Sequence, residues 1–466
     1  MSDSETDALV IGAGPGGYVA AIRAGQLGCD VTLVEKEAYG GVCLNHGCIP
    51  SKALISATDL AERAGSAAEM GVDAEVSTDL GRMVEWKEGI VDQLTGGVEQ
   101  LCRANGVELV EGRAGFVDPT TVRVDGGADA PDRIDFETAI VATGSRPIQL
   151  PGFDFGDWPV WSSRDALSAE TVPDRLLVVG AGYIGMELST VYAKLGSEVT
   201  VVEALDDVLP GYEDDVAAVV RDRAAELGIS FNFGEAADGW TETDDGIRVT
   251  TETDDGETPA YDADRVLVAV GREPVTDTLG LANAGLETDA DGFLPTDRQG
   301  RTAVDHIHAI GDVAGEPMLA HAASKEGIVA AHAAAGDPID VGDWIVPAAV
   351  FTDPEIGTVG MTADEAAEVG FDPVVGEMPF AASGRALTTG EADGFVRVVA
   401  AEDGALLGAQ VVGPEASELV AELAFAIRQR ATLSDLAETI HVHPTLSEAV
   451  MEAAENALGQ AIHTTN

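Results

Sequence analysis

The sequence predicts an α/β chain, because one unit of strand, glycine turn, helix and strand occurs twice. The first copy runs from Ala8 to Glu35 and the second from Leu177 to Glu203, at a constant offset of 168 residues. Gly12, Gly14, Gly17, Gly28 and Glu35 recur as Gly180, Gly182, Gly185, Gly196 and Glu203. Each copy sets G-x-G-x-x-G between an apolar β-rich run and a helical pattern, then ends the next β run with an acid. That is the pattern of a Rossmann-like dinucleotide-binding domain. Two such domains are expected. After Asp343 the pattern changes to short strands and longer helices, which adds a C-terminal α+β domain.

In such a unit the first glycine makes the tight turn, the second admits a pyrophosphate to the helix N-terminus, and the third lets helix and strand pack closely. The acid accepts hydrogen bonds from ribose hydroxyls. Both copies keep all three glycines and the acid, so one working site beside a decayed scaffold is the weaker reading. The carboxylate of Glu203 suits a free ribose 2'-hydroxyl and repels a 2'-phosphate. NAD is therefore favoured over NADP.

Composition narrows the partners. The 466 residues hold 82 Asp and Glu against 26 Lys and Arg, a formal net charge of -56, while 45% hydrophobic content is ample for packed cores. Nucleic acid and anionic membrane surfaces are disfavoured. The acidic excess is spread along the whole chain, so it reads as a solvated carboxylate surface, tolerable where the Debye length shrinks to about 3 Å at 1 M salt. A high-salt, halophilic cytoplasm is predicted. The N-terminal MSDSETDALVIGAG has no basic region and no long apolar stretch, so neither a signal peptide nor a membrane span is expected and the protein reads as cytoplasmic. Four cysteines, Cys29, Cys43, Cys48 and Cys102, are too few for a disulfide framework.

Two of them lie in Gly40-Gly41-Val42-Cys43-Leu44-Asn45-His46-Gly47-Cys48-Ile49-Pro50-Ser51-Lys52. A disulfide between residues five apart removes little entropy from the unfolded chain, which favours a redox pair over a structural staple. On spacing alone, two buried free cysteines are an equal alternative. Pro50 suits the first turn of a helix continued by Ala53-Leu54-Ile55, and a cysteine in that turn meets the positive end of the helix dipole, which favours thiolate. The whole segment resembles the redox-active stretch of the flavoprotein disulfide reductases. The resemblance implies that Cys43 and Cys48 form the redox disulfide and that the first glycine unit binds FAD, with Lys52 near the flavin. The second unit then binds NAD, with Glu187 near the nicotinamide.

The rest of the chain follows in order. Residues 1–149 are expected to be the first part of the FAD-binding domain. Ala57 to Gly106 reads as mainly helical and Val107 to Val124 as short strands; the resemblance places the backbone of Ala114 on the flavin nucleotide. Ala139 to Val141 reads as a buried strand ending in Ala142-Thr143-Gly144-Ser145, a turn that packs on FAD in the family. A Pro, Gly and Asp rich stretch from Leu150 to Val160 marks the start of the NAD-binding domain, residues 150–273. Within it Thr241 to Asp264 reads as a β-meander with turns at Asp245-Gly246 and Asp255-Gly256, and a further strand ends at Gly271, resembling the element that closes the NAD domain. Residues 274–343 are expected to return to the FAD or central domain. There Asp312 ends a short strand, and the resemblance puts it on the ribityl hydroxyls. Ala320 opens a helix, Ala322 to Ala335, whose N-terminal dipole faces the flavin ring. Residues 344–466 resemble the family's interface domain, which implies a homodimer.

Near the C-terminus stands His443-Pro444-Thr445-Leu446-Ser447-Glu448-Ala449. Thr445 and Glu448 have the spacing of a helix capping box, and a histidine just before a helix is held neutral, as a base must be. The segment resembles the family's base motif, in which His443, oriented by Glu448, serves the partner subunit's interchange thiol; His441 is the fallback. The activity implied is oxidation of dihydrolipoamide, free or on a lipoyl-carrier domain of a 2-oxoacid dehydrogenase or glycine cleavage system, with hydride passing through FAD to NAD. NADP-linked members are disfavoured by Glu203, and members with a C-terminal cysteine pair by the lack of any cysteine after Cys102. Two alternatives stand: an FAD disulfide reductase with another dithiol or disulfide substrate, and a mainly structural subunit of a lipoyl-dependent complex. The sequence departs from the family pattern at His46, where an apolar residue is usual, at Val275, and at Ser383-Gly384.

Overall fold

Strand β1 (Asp3–Ile11) leads through Gly12 into helix α1 (Pro15–Gln26) and strand β2 (Val31–Glu35), as the first repeat requires. The computed structural model describes residues 3–128, 130–156, 158–339 and 344–465. Every residue of β2 is buried, the mark of a parallel strand covered on both faces. Two helices follow where one was expected. The short α2 (Gly41–His46) and the long α3 (Cys48–Ser66) meet at Gly47, so the cysteines sit on different helices. Ala57 to Gly106 is mainly helical, as expected, with residues 71–79 the non-helical stretch; Asp79 then caps a fresh helix, α4 (Leu80–Ala104), by accepting from Arg82 N. Then come β3 (Val107–Asp118), β4 (Thr121–Gly126), β5 (Arg133–Val141), β6 (Ser145–Pro147), β7 (Val160–Trp161) and α5 (Ser163–Ser168). β3 is one long strand instead of several short ones, because its first half pairs with β2 and its second half with β4.

The second repeat builds β8 (Arg175–Val179), α6 (Tyr183–Lys194), β9 (Glu198–Glu203), α7 (Asp214–Glu226) and β10 (Ser230–Phe233). The meander is present but begins earlier than expected, as β11 (Glu235–Thr243), β12 (Gly246–Thr253) and β13 (Ala260–Ala263), all antiparallel. β14 (Arg265–Val268) returns beside β8. Next are β15 (Arg272–Pro274), β16 (Ile307–Ala309), a 3-10 turn at Gly311–Val313, and α8 (Ala320–Ala334), which starts two residues before the expected helix. The expected boundary at Asp343 lies outside the described residues. The C-terminal elements are β17 (Ala348–Val350), β18 (Glu355–Gly360), α9 (Ala363–Glu368), β19 (Val374–Pro379), α10 (Gly384–Thr389), β20 (Phe395–Ala400), β21 (Leu406–Gly413), α11 (Ala416–Arg428), α12 (Leu433–Ala437) and α13 (Glu448–Ala457).

Two compact units result: residues 1–171 with 270–342, and residues 172–269 with 343–466. In the first, parallel strands run in the order β3, β2, β1, β5, β16, and β4 bridges β3 and β5 antiparallel. Helices α1 and α8 approach closely through glycines; a Cβ at Gly327 would come 2.4 Å from the Gly16 carbonyl oxygen. The second unit repeats this plan in the parallel order β10, β9, β8, β14. It adds an antiparallel sheet in the order β17, β18, β21, β20, β19, over a core that includes Phe380, Val396, Val398, Val411, Leu423 and Val450. Lys194 Nζ lies 2.7 Å from Asp353 with only 2% of its side chain exposed, and Arg223 joins the same carboxylate. Burial works against ionising Asp353, but the two cations outweigh it and hold the carboxyl below its ordinary range. Among the described residues no helix is long and apolar enough to cross a membrane.

Candidate active site

The two glycine loops have the same geometry. Gly12 and Gly180 take φ of 100° and 101°, open to glycine and strained for other residues. A Cβ at Gly17 would come 1.9 Å from the Gly12 carbonyl oxygen, and one at Gly185 2.0 Å from that of Gly180. Each loop is thus closed on itself. A Cβ at Gly14 or Gly182 meets nothing within 4 Å, so the space before each helix N-terminus is open, a cradle that fits a dinucleotide's diphosphate. The paired acids brace the loops. Glu35 accepts from Ala13 N at 2.7 Å and Glu37 N at 2.8 Å, and Glu203 accepts from Ala181 N at 2.6 Å and Leu205 N at 3.0 Å.

The cysteine segment is fastened to the first loop. Gly40 N donates to Ala13 O at 2.8 Å, and a Cβ at Gly41 would stand 2.5 Å from Gly14 Cα. From that anchor α2 carries Cys43, and Gly47 turns the chain so that Cys48 opens α3 with Lys52 one turn on. Both cysteines are free thiols. The dipole argument reaches Cys48 by position only. Cys43 lies on the preceding helix, outside that argument: the hydrogen bond with Cys48, burial, and the charge Cys48 carries when ionised together push its thiol far up, with Lys52 opposing.

Other expected residues also fall in the first unit. Gly144, φ 68°, follows β5, and its carbonyl accepts from Val275 N at 2.9 Å. Asp312, in the turn after β16, is hydrogen-bonded by Ser145 Oγ, which accepts in turn from Arg272 Nε at 2.8 Å. Ala320 is the first residue of α8. Ala114 is buried in β3 opposite Val124. Gly271 sits beyond β14, its carbonyl accepting from Ile148 N. Glu326 was not anticipated: its carboxylate accepts from Gly311 N at 2.6 Å, steadying the turn that carries Asp312, and burial pushes its pKa up. A lone acid inside an alanine-rich helix was the available signal.

In the second unit Glu187 is 3% exposed and accepts from Phe351 N at 2.9 Å. His443 is 80% exposed; its Nδ1 donates to Glu448 Oε1 at 2.9 Å, which leaves Nε2 as the proton acceptor. Burial opposes ionisation of Glu448, yet the Thr445 amide and His443, with His441 beyond, hold its carboxyl below the ordinary range. The expected capping box forms only in half. Glu448 Oε2 accepts from Thr445 N at 2.9 Å, but Thr445 Oγ1 donates to Val442 O and α13 starts at Glu448 itself. His441 is occupied elsewhere, both ring nitrogens engaged by Glu422 and the Thr439 carbonyl.

Residues 6–327 match the pyridine nucleotide-disulphide oxidoreductase family, and residues 346–454 match the dimerisation domain of the same family. The chain belongs to this family. As a pyridine nucleotide-disulphide oxidoreductase it is an enzyme that works with FAD and NAD(H), and its dimerisation domain supports a homodimer. A dihydrolipoyl dehydrogenase of Haloferax volcanii is 68% identical over 465 residues, 99% of this chain and 98% of that one. Another, from Geobacillus stearothermophilus, is 51% identical over 461 residues, 98% and 97% of the two chains. Among solved structures, LpdA from Mycobacterium tuberculosis superposes with a TM-score of 0.89 at 30% identity, covering 96% of this oxidoreductase and 99% of LpdA. The halophilic relatives agree with the charge reading.

Proposed function

We propose that this chain oxidises dihydrolipoamide to lipoamide and reduces NAD. The observation that carries the reading is the pair of thiols facing each other across Gly47 on a segment bonded to the first glycine loop, in a chain alike over its whole length to dihydrolipoyl dehydrogenases. FAD held at the first loop would supply the two-electron chemistry that links the protein dithiol to hydride transfer to NAD.

The chain's own residues set up the exchange. His443, oriented by Glu448, removes a proton from the substrate dithiol, and the thiolate attacks Cys43 of the oxidised pair, releasing Cys48 as thiolate. The second substrate sulfur then displaces Cys43, so the substrate leaves as disulfide and the enzyme holds two electrons on Cys43 and Cys48. Lys52 stabilises negative charge at the pair. Gly12, Gly14, Gly17, Glu35, Ala114, Gly144, Asp312 and Ala320 hold FAD. Gly180, Gly182, Gly185, Glu187, Glu203 and Gly271 hold NAD. Residues 1–149 and 274–343 serve the flavin, 150–273 the nicotinamide nucleotide and 344–466 the dimer contact. The donors are lipoyl carriers of a 2-oxoacid dehydrogenase or glycine cleavage system, in a high-salt cytoplasm.

The test is an assay of NAD reduction against a panel of dithiols in high salt, with flavin content measured on the same protein. Dihydrolipoamide is expected to give the highest kcat/KM. His443→Ala is expected to lower the rate by roughly 10²- to 10⁴-fold, the usual contribution of a general base. A colourless protein that takes up no flavin overturns the reading.

A further inference from the structure

We propose that His46 is a positioning residue for the thiol pair, tied by Glu37 and Arg164 so that the Gly47 junction keeps Cys43 and Cys48 at disulfide-forming distance. The inference rests on the reading of Cys43 and Cys48 as the redox pair. His46 ends α2, three residues after Cys43 and two before Cys48. Its Nε2 lies 3.3 Å from Glu37 Oε1, and the same oxygen accepts from Arg164 Nη1 at 2.5 Å. The imidazole is therefore held through the Glu37 carboxylate, which Arg164 fixes in turn.

Both supports are anchored at their backbones. Glu37 donates its amide to Glu35 at the end of the buried strand β2. Arg164 lies in α5, whose N-terminus is closed by the Ser162 and Asp165 capping box. The far end of α5 is held by Lys87 Nζ of α4, which donates to the Leu167 carbonyl at 3.0 Å from a side chain only 1% exposed. At the junction itself there is little slack. A Cβ at Gly47 would come 3.1 Å from the Val42 carbonyl oxygen and 3.5 Å from Cys43 Cα, so the junction is folded tightly against the body of α2. A disulfide needs Cα atoms within about 4.4–6.8 Å, a window that a swinging α2 end would leave. Burial and Arg164 push the imidazole's pKa below its ordinary value, against Glu37 and Glu88, so it acts as a strut more than as a charge.

The clamp is partly exposed and adds little to global stability. Its effect falls on the equilibrium between dithiol and disulfide. The holoenzyme, equilibrated in high salt over a series of oxidised to reduced dithiothreitol ratios, is quenched with acid and alkylated, and the Cys43 to Cys48 disulfide is counted by mass spectrometry. His46→Val and Glu37→Gln are each expected to lower the disulfide formation constant at least threefold, about 14 mV for a two-electron couple, with unchanged thermal midpoints. The double variant should fall no further than either single one, because both remove one clamp. His46→Gln, which keeps a donor, should recover part of the loss. Wild-type constants in both single variants, or fully additive losses, overturn the role of His46. A wild-type protein that forms no such disulfide at any ratio overturns the redox pair and the inference with it.

Discussion

The two glycine-loop units share a backbone plan and differ in what is hung on it. In both, the alanine after the first glycine offers its carbonyl to an incoming amide, Gly40 N to Ala13 O and Leu209 N to Ala181 O, each at 2.8 Å. In the first copy that amide begins the cysteine segment; in the second it begins the turn before α7. Position 19 is Val19 in one and its counterpart is the buried Glu187 in the other. Gly16 lets α1 meet α8 closely, whereas Ile184 fills the matching place in α6. The shared positions build the same loop, and the divergent ones set a cysteine segment beside one copy and a buried carboxylate in the helix of the other.

The strongest way to break that comparison is to remove the sulfur from one copy. Cys48→Ser is expected to lower dithiol-dependent NAD reduction by at least about 10⁴-fold, the scale on which losing a covalent group acts, while NADH binding measured by fluorescence titration stays at the wild-type Kd. A parallel loss of NADH binding would show that the units are not separable. Next are the loop glycines. Gly17→Ala drives a methyl group into the Gly12 carbonyl and should release the flavin, read as lost visible absorbance; Gly185→Ala should keep the flavin and raise KM for NAD roughly tenfold or more. Glu203→Ala, which removes a brace of the second loop and the proposed partner of the ribose, is expected to reduce the ratio of kcat/KM for NAD over NADP by about tenfold. A wild-type enzyme that prefers NADP would contradict the assignment.

The smallest effect is on acid stability, and it separates the units by pH. In the first unit burial, chiefly, pushes His308 below its ordinary 6.5, with Arg301 and His306 adding and the Gln299 carbonyl and Asp297 opposing. Between the depressed value and 6.5 the unfolded chain binds the extra proton, so this contribution is whole above 6.5 and declines as pH falls. In the second unit Asp353 has its pKa held below 3.8, so its contribution persists above that value and is lost only in stronger acid. Calorimetry at constant high salt should therefore show a decline from pH 7 to 5 that His308→Gln makes shallower, and Asp353→Asn should leave that slope unchanged.

Much of this was legible in the chain. The repeat, the glycines and the acids specify local backbone, and local rules read local backbone well, which is why the α/β class and both loops follow from Gly12 to Glu35 and Gly180 to Glu203. What escaped depends on contacts distant in sequence. The break between α2 and α3 falls at Gly47, whose backbone leaves the helical region. Glu326 meets Gly311 only after the sheet has folded, and Thr445 turned its hydroxyl to Val442 where spacing suggested a cap. The carboxylates of Glu35 and Glu203 were expected to serve ribose, and the structure shows each holding its own loop, a role that no one-dimensional pattern announces.

Lysine placement has a practical consequence. The chain has five lysines, and the side chains of Lys87 and Lys194 are only 1% and 2% exposed. The others, Lys36, Lys52 and Lys325, all belong to residues 1–171 and 270–342. An amine-reactive dye or surface-coupling reagent will therefore mark the unit of residues 1–171 and 270–342 and pass over the other, so immobilisation through lysine amines fixes the enzyme by one unit alone.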